Sequence, residues 1–432
     1  MLLLYNLSIF FYSLIIKLVS PFNRKARLLV NGRGNWRKPF DDKPLDHDDR
    51  PPTRPVAWFH AASLGEFEQG RPVIEAFRAT YPNWQIVLSF FSPSGYEVRK
   101  AYSGADIITY LPADTAQNAR EWMLQVRPQI AFFIKYEFWY HYLQALQKGN
   151  ISNAGKPVPT ISFSAIFRPN QLFFKTYGGF YRNLLTNFDH ILVQNKQSVD
   201  LLTSIGITRT TLAGDTRFDR VAQVAATRRD IPEAAAFVGN PNASDRPTLV
   251  VGSAWAADMA VLIPMLNAFT QPLRVLIAPH EIHEAEIENW RAQLTAPSVR
   301  FSTLGTSPAP AGTRYLFIDN IGMLTSLYQY GNVAYIGGAF GKGLHNCLEA
   351  ATFGLPLLFG PNYQRFQEAV DLVKQGGAFQ VRSAAELTET FTRLCTNTPE
   401  RERAGAICRT YVVDNTGATE RVMQVVATVL RP

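Results

Sequence analysis

From Pro55 onward the chain alternates short apolar runs with longer amphipathic stretches, and that rhythm limits the fold more than any other feature. "VAWFHA", "QIVLSFF", "IITYL", "QIAFFIKY", "TISFSAIF" and "HILVQN" read as strands, rich in β-branched and aromatic residues. Helix-like stretches such as "GRPVIEAFRAT" and "AQNAREWMLQVR" lie between them. A second series follows the loop-like "RRDIPEAAAFVGNPNASDRP": "TLVVGSA", "LRVLIAP", "RYLFID", "VAYIGGA" and "LPLLFG". Alternation of this kind builds doubly wound parallel sheets. A chain of 432 residues is too long for one ordinary core. Two α/β domains are therefore expected, joined between Asp219 and Pro247. No short repeat is visible, which excludes a solenoid. The last helical stretch, "ATERVMQVVATVL", suits either domain.

The N-terminus sets the location. Leu2 to Val19, "LLLYNLSIFFYSLIIKLV", is almost entirely apolar. Arg24, Lys25, Arg27, Arg33, Arg37 and Lys38 follow it, with no acid before Asp41. A cleaved signal peptide has its basic residues first and a small-residue site afterwards, the reverse of this order. The length is near the lower limit for a span, so the segment either crosses the bilayer briefly or lies in its interface. The basic cluster on its C-terminal side puts the remainder in the cytoplasm. Between Arg37 and Pro55 the polar, Pro-rich "RKPFDDKPLDHDDRPPTRP" reads as a connector with little structure.

Hydrophobic content of 47% excludes a disordered chain, and a formal charge of +8 favours an anionic partner. Cys347, Cys395 and Cys408 are widely spaced and give neither a zinc cluster nor a disulfide framework. No metal or cofactor is expected. Nucleic acid is disfavoured as a partner, because the basic residues gather by the apolar segment and not along an aromatic-interleaved face.

Two constellations carry chemistry. In "HAASLGEFEQG", Gly65 marks the turn from strand to helix, and Glu66 falls in the first helical turn, at the edge where open α/β sheets bind ligands. From this stretch alone, an acid complementing the helix dipole is the commoner reading. In "VAYIGGAFGKGLHNCLEAATFGLPLLFGP", Gly337, Gly338, Gly341 and Gly343 lead to a helix expected to begin near His345 or Asn346. Such a loop turns N–H groups inward to cradle a phosphate. It is neither a Walker loop nor a dinucleotide fingerprint. Glu349, one turn further on, is placed to accept from a ribose hydroxyl pair. "VGSAW" (251–255, with Gly252 and Ser253), "IAPHEIHE" (277–284, with His280) and "FIDNIGML" (317–324, with Gly322 and Met323) also leave strand ends. As lone features, His280 and His283 are more often helix-start or surface histidines. Glu137, in "IKYEFWY", needs a partner if buried among aromatics; a nearby Arg or Lys is at least as plain an answer as an active cleft.

Taken together and in this order, "HAASLGEF", "ILVQN", "GDTRFD", "GSAW", "IAPHEIHE", "IDNIGMLTSLY" and "GGAFGKGLHNCLEAATFGLPLLFGP" resemble the 3-deoxy-D-manno-oct-2-ulosonic acid (Kdo) transferases of lipopolysaccharide synthesis. The resemblance implies an α/β fold of GT-B type: two doubly wound Rossmann-like domains facing a cleft, with an N-terminal membrane-anchor helix. It divides the chain into an anchor (1–20), an acceptor-binding domain (21–225) and a CMP-sugar-binding domain (226–432), whose last helix packs back on the first. It implies transfer of Kdo from CMP-Kdo to a lipid A precursor at the cytoplasmic side of the bacterial inner membrane. By the same resemblance Glu66 is the general base, and Ser63, Gly65 and Glu137 bind the acceptor. Gly252, Ser253, His280, Gly322, Met323, Gly341, Gly343, His345, Asn346 and Glu349 bind the donor, with Gly322 and Met323 against the cytosine. The chain departs from the family where Glu-x-Glu-Leu-Trp becomes Lys135-Tyr136-Glu137-Phe138-Trp139, where Pro-Arg-His becomes Pro279-His280-Glu281, and where an Asn-Ala-Arg run becomes "SFSAIFR". The competing readings are a GT-B transferase using a UDP-sugar, or a non-catalytic membrane-bound nucleotide- or lipid-binding protein.

Overall fold

The computed structural model describes residues 1–46, 54–149, 155–239, 246–304 and 309–430. The middle of the Pro-rich connector (47–53) and part of the loop expected near the domain junction (240–245) lie outside the described residues. The chain forms two compact units, residues 1–220 with 416–432, and residues 221–415.

In the first unit seven strands lie in one sheet: β1 (Val56–Ala61), β2 (Gln85–Phe90), β3 (Ile107–Tyr110), β4 (Ile130–Ile134), β5 (Thr160–Ala165), β6 (His190–Val193) and β7 (Thr210–Leu212). Their order is β3-β2-β1-β4-β5-β6-β7, parallel throughout. All six residues of β1 are buried, because a parallel sheet is covered on both faces. Trp58 packs with Trp36, Trp122 and Tyr142 on one face; Phe59 packs with Phe77 and Phe132 on the other.

The last helix, Ala418–Val429, belongs to this unit: Val422 and Val426 join the Phe59 cluster. Asp219 of "GDTRFD" caps its start, accepting from the N–H of Gly417 and Thr419 at 2.6 Å and from the Thr419 hydroxyl at 2.7 Å. The connector is more ordered than expected. Lys38–Asp42 is a short helix, and Phe40 and Leu45 are buried beside Trp36 and Trp122, so their apolar burial fixes the chain despite its prolines.

Leu2–Val19 is an 18-residue helix with no buried residue, long and apolar enough to cross a membrane. At 1.5 Å per residue it spans about 27 Å. Its N-terminal end is tied to the first unit by polar contacts: the Tyr5 hydroxyl donates to Asp114 at 2.5 Å, and Asn6 pairs with His141 at 2.7 Å.

The second unit repeats the plan with β8 (Thr248–Ala254), β9 (Arg274–Pro279), β10 (Ser298–Arg300), β11 (Tyr315–Phe317), β12 (Val333–Ile336), β13 (Leu357–Phe359) and β14 (Ala378–Gln380). The order is β10-β11-β9-β8-β12-β13-β14, again parallel. Its core runs from Leu249 and Val251 through Met259 and Leu262 to Tyr335, Leu358 and Phe391.

Candidate functional site

Each sheet has a point where the strand order reverses, between β1 and β4 in the first and between β8 and β12 in the second. Loops leaving the carboxyl ends of two such strands diverge and leave a crevice between them, where ligands of open α/β sheets bind. The sequence-selected residues gather at these two points.

In the first unit Ser63 caps the helix Leu64–Thr80, its hydroxyl accepting from the Gly65 N–H at 3.2 Å and donating to the Glu66 carboxylate. This is a Ser-x-x-Glu start, and it holds Glu66 at the strand's carboxyl edge. The loop after β4 brings Lys135 to 3.9 Å from Glu66, with the two side chains 26% and 18% exposed. Lys135 has φ +71°, a left-handed backbone unusual for a residue with a side chain. The next residue, Tyr136, has its phenol pushed up by burial; Arg168, donating to it at 3.3 Å, works against this, and Glu66 and Asp215 add to it.

Glu137 is buried and has two partners, neither of them the Arg or Lys considered from the sequence. Its Oε2 meets His60 Nε2 at 3.1 Å and accepts from Trp139 Nε1 at 2.7 Å. The chain of contacts continues inward: His60 Nδ1 meets the Ser89 hydroxyl at 2.9 Å, and Trp58 Nε1 donates to that hydroxyl at 2.8 Å. A buried carboxylate is tolerated when its lone pairs are taken, and this one supports the loop on which Lys135 sits.

In the second unit the loop after β12 folds back on itself. The N–H groups of Gly341 and Gly343 reach the Gly338 carbonyl at 2.9 and 3.1 Å, and the His345 N–H reaches Gly337 at 3.1 Å. That return contact keeps residues 344–347 out of the helix. The helix expected near His345 or Asn346 begins instead at Leu348 and lasts one turn, Leu348–Ala351.

Trp255, His280 and His345 stack: ring centroids lie 4.2 Å apart for Trp255–His280 and 4.3 Å for His280–His345. Trp255 Nε1 donates to His345 Nε2 at 2.7 Å, so the neutral ring carries its proton on Nδ1. Burial, and then the neighbouring His280, lower the His345 pKa to about 4. Glu349 accepts from the Thr325 hydroxyl at 2.5 Å and from Asn346 Nδ2 at 3.0 Å. Thr325 lies in the short helix Leu324–Leu327 that Met323 caps, with Gly322 exposed just before it at φ +87°. Gly252 has a packing reason for its size: a Cβ there would meet the Tyr328 hydroxyl at 2.0 Å. Ser253, at φ +57°, carries the carbonyl that a Cβ on Gly337 would strike at 2.2 Å.

One residue that the motifs did not single out holds this loop. Asp258 is fully buried in the helix Ala256–Ala268, and its carboxylate accepts from Gly338 N–H at 2.8 Å, Tyr335 hydroxyl at 2.9 Å and Trp255 N–H at 3.0 Å. Burial pushes its pKa up and these bonds pull it back. Lys135, Trp255 and Thr325 were visible in the quoted stretches, but their pairing with Glu66, His345 and Glu349 is made by the fold.

Residues 35–220 match the family described as 3-deoxy-D-manno-octulosonic-acid transferase (kdotransferase). The 3-deoxy-D-manno-octulosonic acid transferase of Chlamydophila psittaci is 25% identical over 358 residues, covering 81% of this chain and 80% of the relative. That of Bordetella pertussis is 25% identical over 392 residues, covering 86% and 87%. Among solved structures, the UDP-GlcNAc 2-epimerase of Neisseria meningitidis bound to UDP-GlcNAc aligns with a TM-score of 0.59 at 13% identity, over 87% of this chain and 100% of the epimerase. That likeness is one of fold, two doubly wound α/β units of GT-B type.

Proposed function

Because the chain is a relative of the Kdo transferases, we propose that it moves Kdo from CMP-Kdo to a hydroxyl of a lipid A precursor (lipid IVA), held at the cytoplasmic face of a bacterial inner membrane by its first helix. The second unit binds the donor. The bond from the Kdo anomeric carbon to the CMP phosphate breaks with its electron pair leaving on the phosphate. The acceptor oxygen bonds to that carbon, and its proton passes to Glu66.

The observation that carries this reading is the placement of Glu66: a carboxylate at the order-reversal point, oriented by Ser63 and flanked by Lys135. A base so held contributes ~100- to 10,000-fold. On the donor side, the Nδ1–H of His345 offers a neutral donor to the departing phosphate, beside a glycine loop whose own N–H groups at 338, 341 and 343 are turned inward, and Glu349, already accepting from a hydroxyl, suits a ribose. Gly322 and Met323 border the cytosine. Glu137 acts on the acceptor side by supporting the 135–139 loop, beside Ser63 and Gly65.

The test is incubation with CMP-Kdo and a tetraacylated lipid A precursor, with the product weighed by mass spectrometry. Glu66→Ala is expected to slow transfer ~100- to 10,000-fold while CMP still raises the melting temperature. Turnover by that variant within about tenfold of the parent rate removes Glu66 as the base, and protection by UDP in place of CMP overturns the donor assignment.

A further inference from the structure

A second concave site lies in the first unit and includes Tyr136, the residue after Lys135. It is an open pocket of about 420 Å³, lined by Tyr5, Tyr136, Trp139, Leu172, Phe173 and Tyr181 among others. The volume is within the range of small-ligand sites, about 300–1,000 Å³, and the walls are mostly aromatic and aliphatic.

The walls are held from behind. Trp139 stacks on Phe91 at 4.9 Å and donates to Glu137, Phe138 packs on Phe173 at 5.1 Å, and Tyr5 is bonded to Asp114 and packed against Tyr140 at 5.9 Å. Tyr5 belongs to the exposed apolar helix Leu2–Val19, so that helix supplies one wall. Leu172, in the lining, is 41% exposed, an apolar edge that water solvates poorly. Cationic groups border the same stretch of chain: Arg168 donates to the Tyr136 hydroxyl, and Lys135 lies beside Glu66.

We infer that this pocket seats one acyl chain of the lipid acceptor, with the anionic headgroup towards Arg168 and Lys135; the inference rests on the lipid-acceptor reading above. Three features favour an acyl chain over a peptide or a nucleotide. The lining is apolar apart from Asn170 and Gln171, one wall is the exposed apolar helix Leu2–Val19, and the wall residue Tyr136 is bonded to the cationic Arg168. Each methylene withdrawn from water strengthens binding roughly fourfold, so occupancy is expected to depend steeply on chain length.

The experiment compares the full chain with Leu172→Asp and Leu172→Trp, both changes at an exposed rim, using a tetraacylated precursor and its fully deacylated, water-soluble form. The rim variants should raise KM for the acylated acceptor on the order of tenfold, the loss of about two seated methylenes. The KM for the deacylated acceptor and for CMP-Kdo should stay unchanged. In parallel, a brominated long-chain fatty acid should quench fluorescence that disappears in Trp139→Phe, and Leu172→Asp should weaken that quenching. Equal effects on both acceptors, or quenching unrelated to Trp139, overturns the inference while leaving Kdo transfer standing. Trp139-specific quenching in a chain that transfers no Kdo supports the pocket and defeats the functional reading instead.

Discussion

Asp258→Asn tests whether the glycine loop of the second unit owes its shape to one buried carboxylate. The substitution keeps size and removes the charge. If its carbonyl still accepts from Tyr335, its NH₂ faces the N–H groups of Gly338 and Trp255, which the carboxylate accepts at 2.8 and 3.0 Å. The buried N–H of Gly338 and the partly buried N–H of Trp255 are then unpaired, at about 1–3 kcal/mol each. Relief of the cost of burying a carboxylate, visible in its raised pKa, offsets part of that. A net loss of about 2–4 kcal/mol remains, and in a unit of this size each kcal/mol moves the midpoint by about 2–4 °C. The melting of the second unit should therefore fall by about 4–16 °C in calorimetry. CMP affinity, by titration calorimetry below the new midpoint, should fall at least about tenfold, or 1.4 kcal/mol, because Gly338 anchors the turn that positions His345. A variant that melts within about 2 °C of the parent and binds CMP equally well refutes the argument.

His345 should remain neutral from pH 8 down to pH 5, its ring proton on Nδ1, and an NMR titration of its C2–H reads this directly. Its pKa is lowered from an ordinary 6.5 to about 4, so between those values the unfolded chain takes up a proton that the folded chain refuses. Its contribution is therefore complete above pH 6.5 and declines as pH falls towards 4; His345→Gln should flatten the slope of stability in that window. Asp219→Ala removes the acceptor for three bonds at the start of the last helix and should cost the first unit about 1–2 kcal/mol in denaturant melts, with CMP affinity unchanged. Lys135→Met should lower kcat/KM for the acceptor by about 1.4- to fivefold at unchanged donor KM, since a partly exposed pair contributes only about 0.2–1 kcal/mol. Removal of residues 1–20 should release the protein from membrane pellets, and continued pelleting would place the attachment elsewhere.

Strands such as Val56–Ala61 and Ile130–Ile134 were legible because a strand buried on both faces is apolar at nearly every position, His60 being the buried exception with its own partners. The edge strands "TTL", "SVR" and "AFQ" were not, because three residues at the margin of a sheet carry no periodicity and need little burial. Ser63 and Glu66 were legible as well, since their spacing is a local helix-start signal. Asp258 has the same local appearance, an acid in a first turn, and nothing in "WAAD" distinguishes a solvated acid from one that holds a distant loop. The misplaced helix start near His345 has a related cause. Glycines followed by a good helix former signal a loop and then a helix, but the bond from His345 N–H to Gly337 is a return contact that no window of sequence contains.

The partners of Glu66 and His345 come from the loop that the order reversal places alongside. Glu66 follows β1 and Lys135 follows β4, with two strands and their helices between them in the chain. Trp255 follows β8 and His345 follows β12, separated by three strands. Both pairs are adjacent only because β1 lies against β4 and β8 against β12, with His60 opposite Phe133 and Gly252 opposite Ile336. Register therefore governs chemistry here. In a parallel pair a slip of one residue carries every following side chain about 3.3 Å along the strand and to the other face. That would separate Lys135 from Glu66 and Trp255 from His345 without altering any residue in either motif. Gly252, closed over by the Tyr328 hydroxyl, is one of the positions that guards the second register. A larger residue there should damage nucleotide binding although its own side chain need touch no ligand.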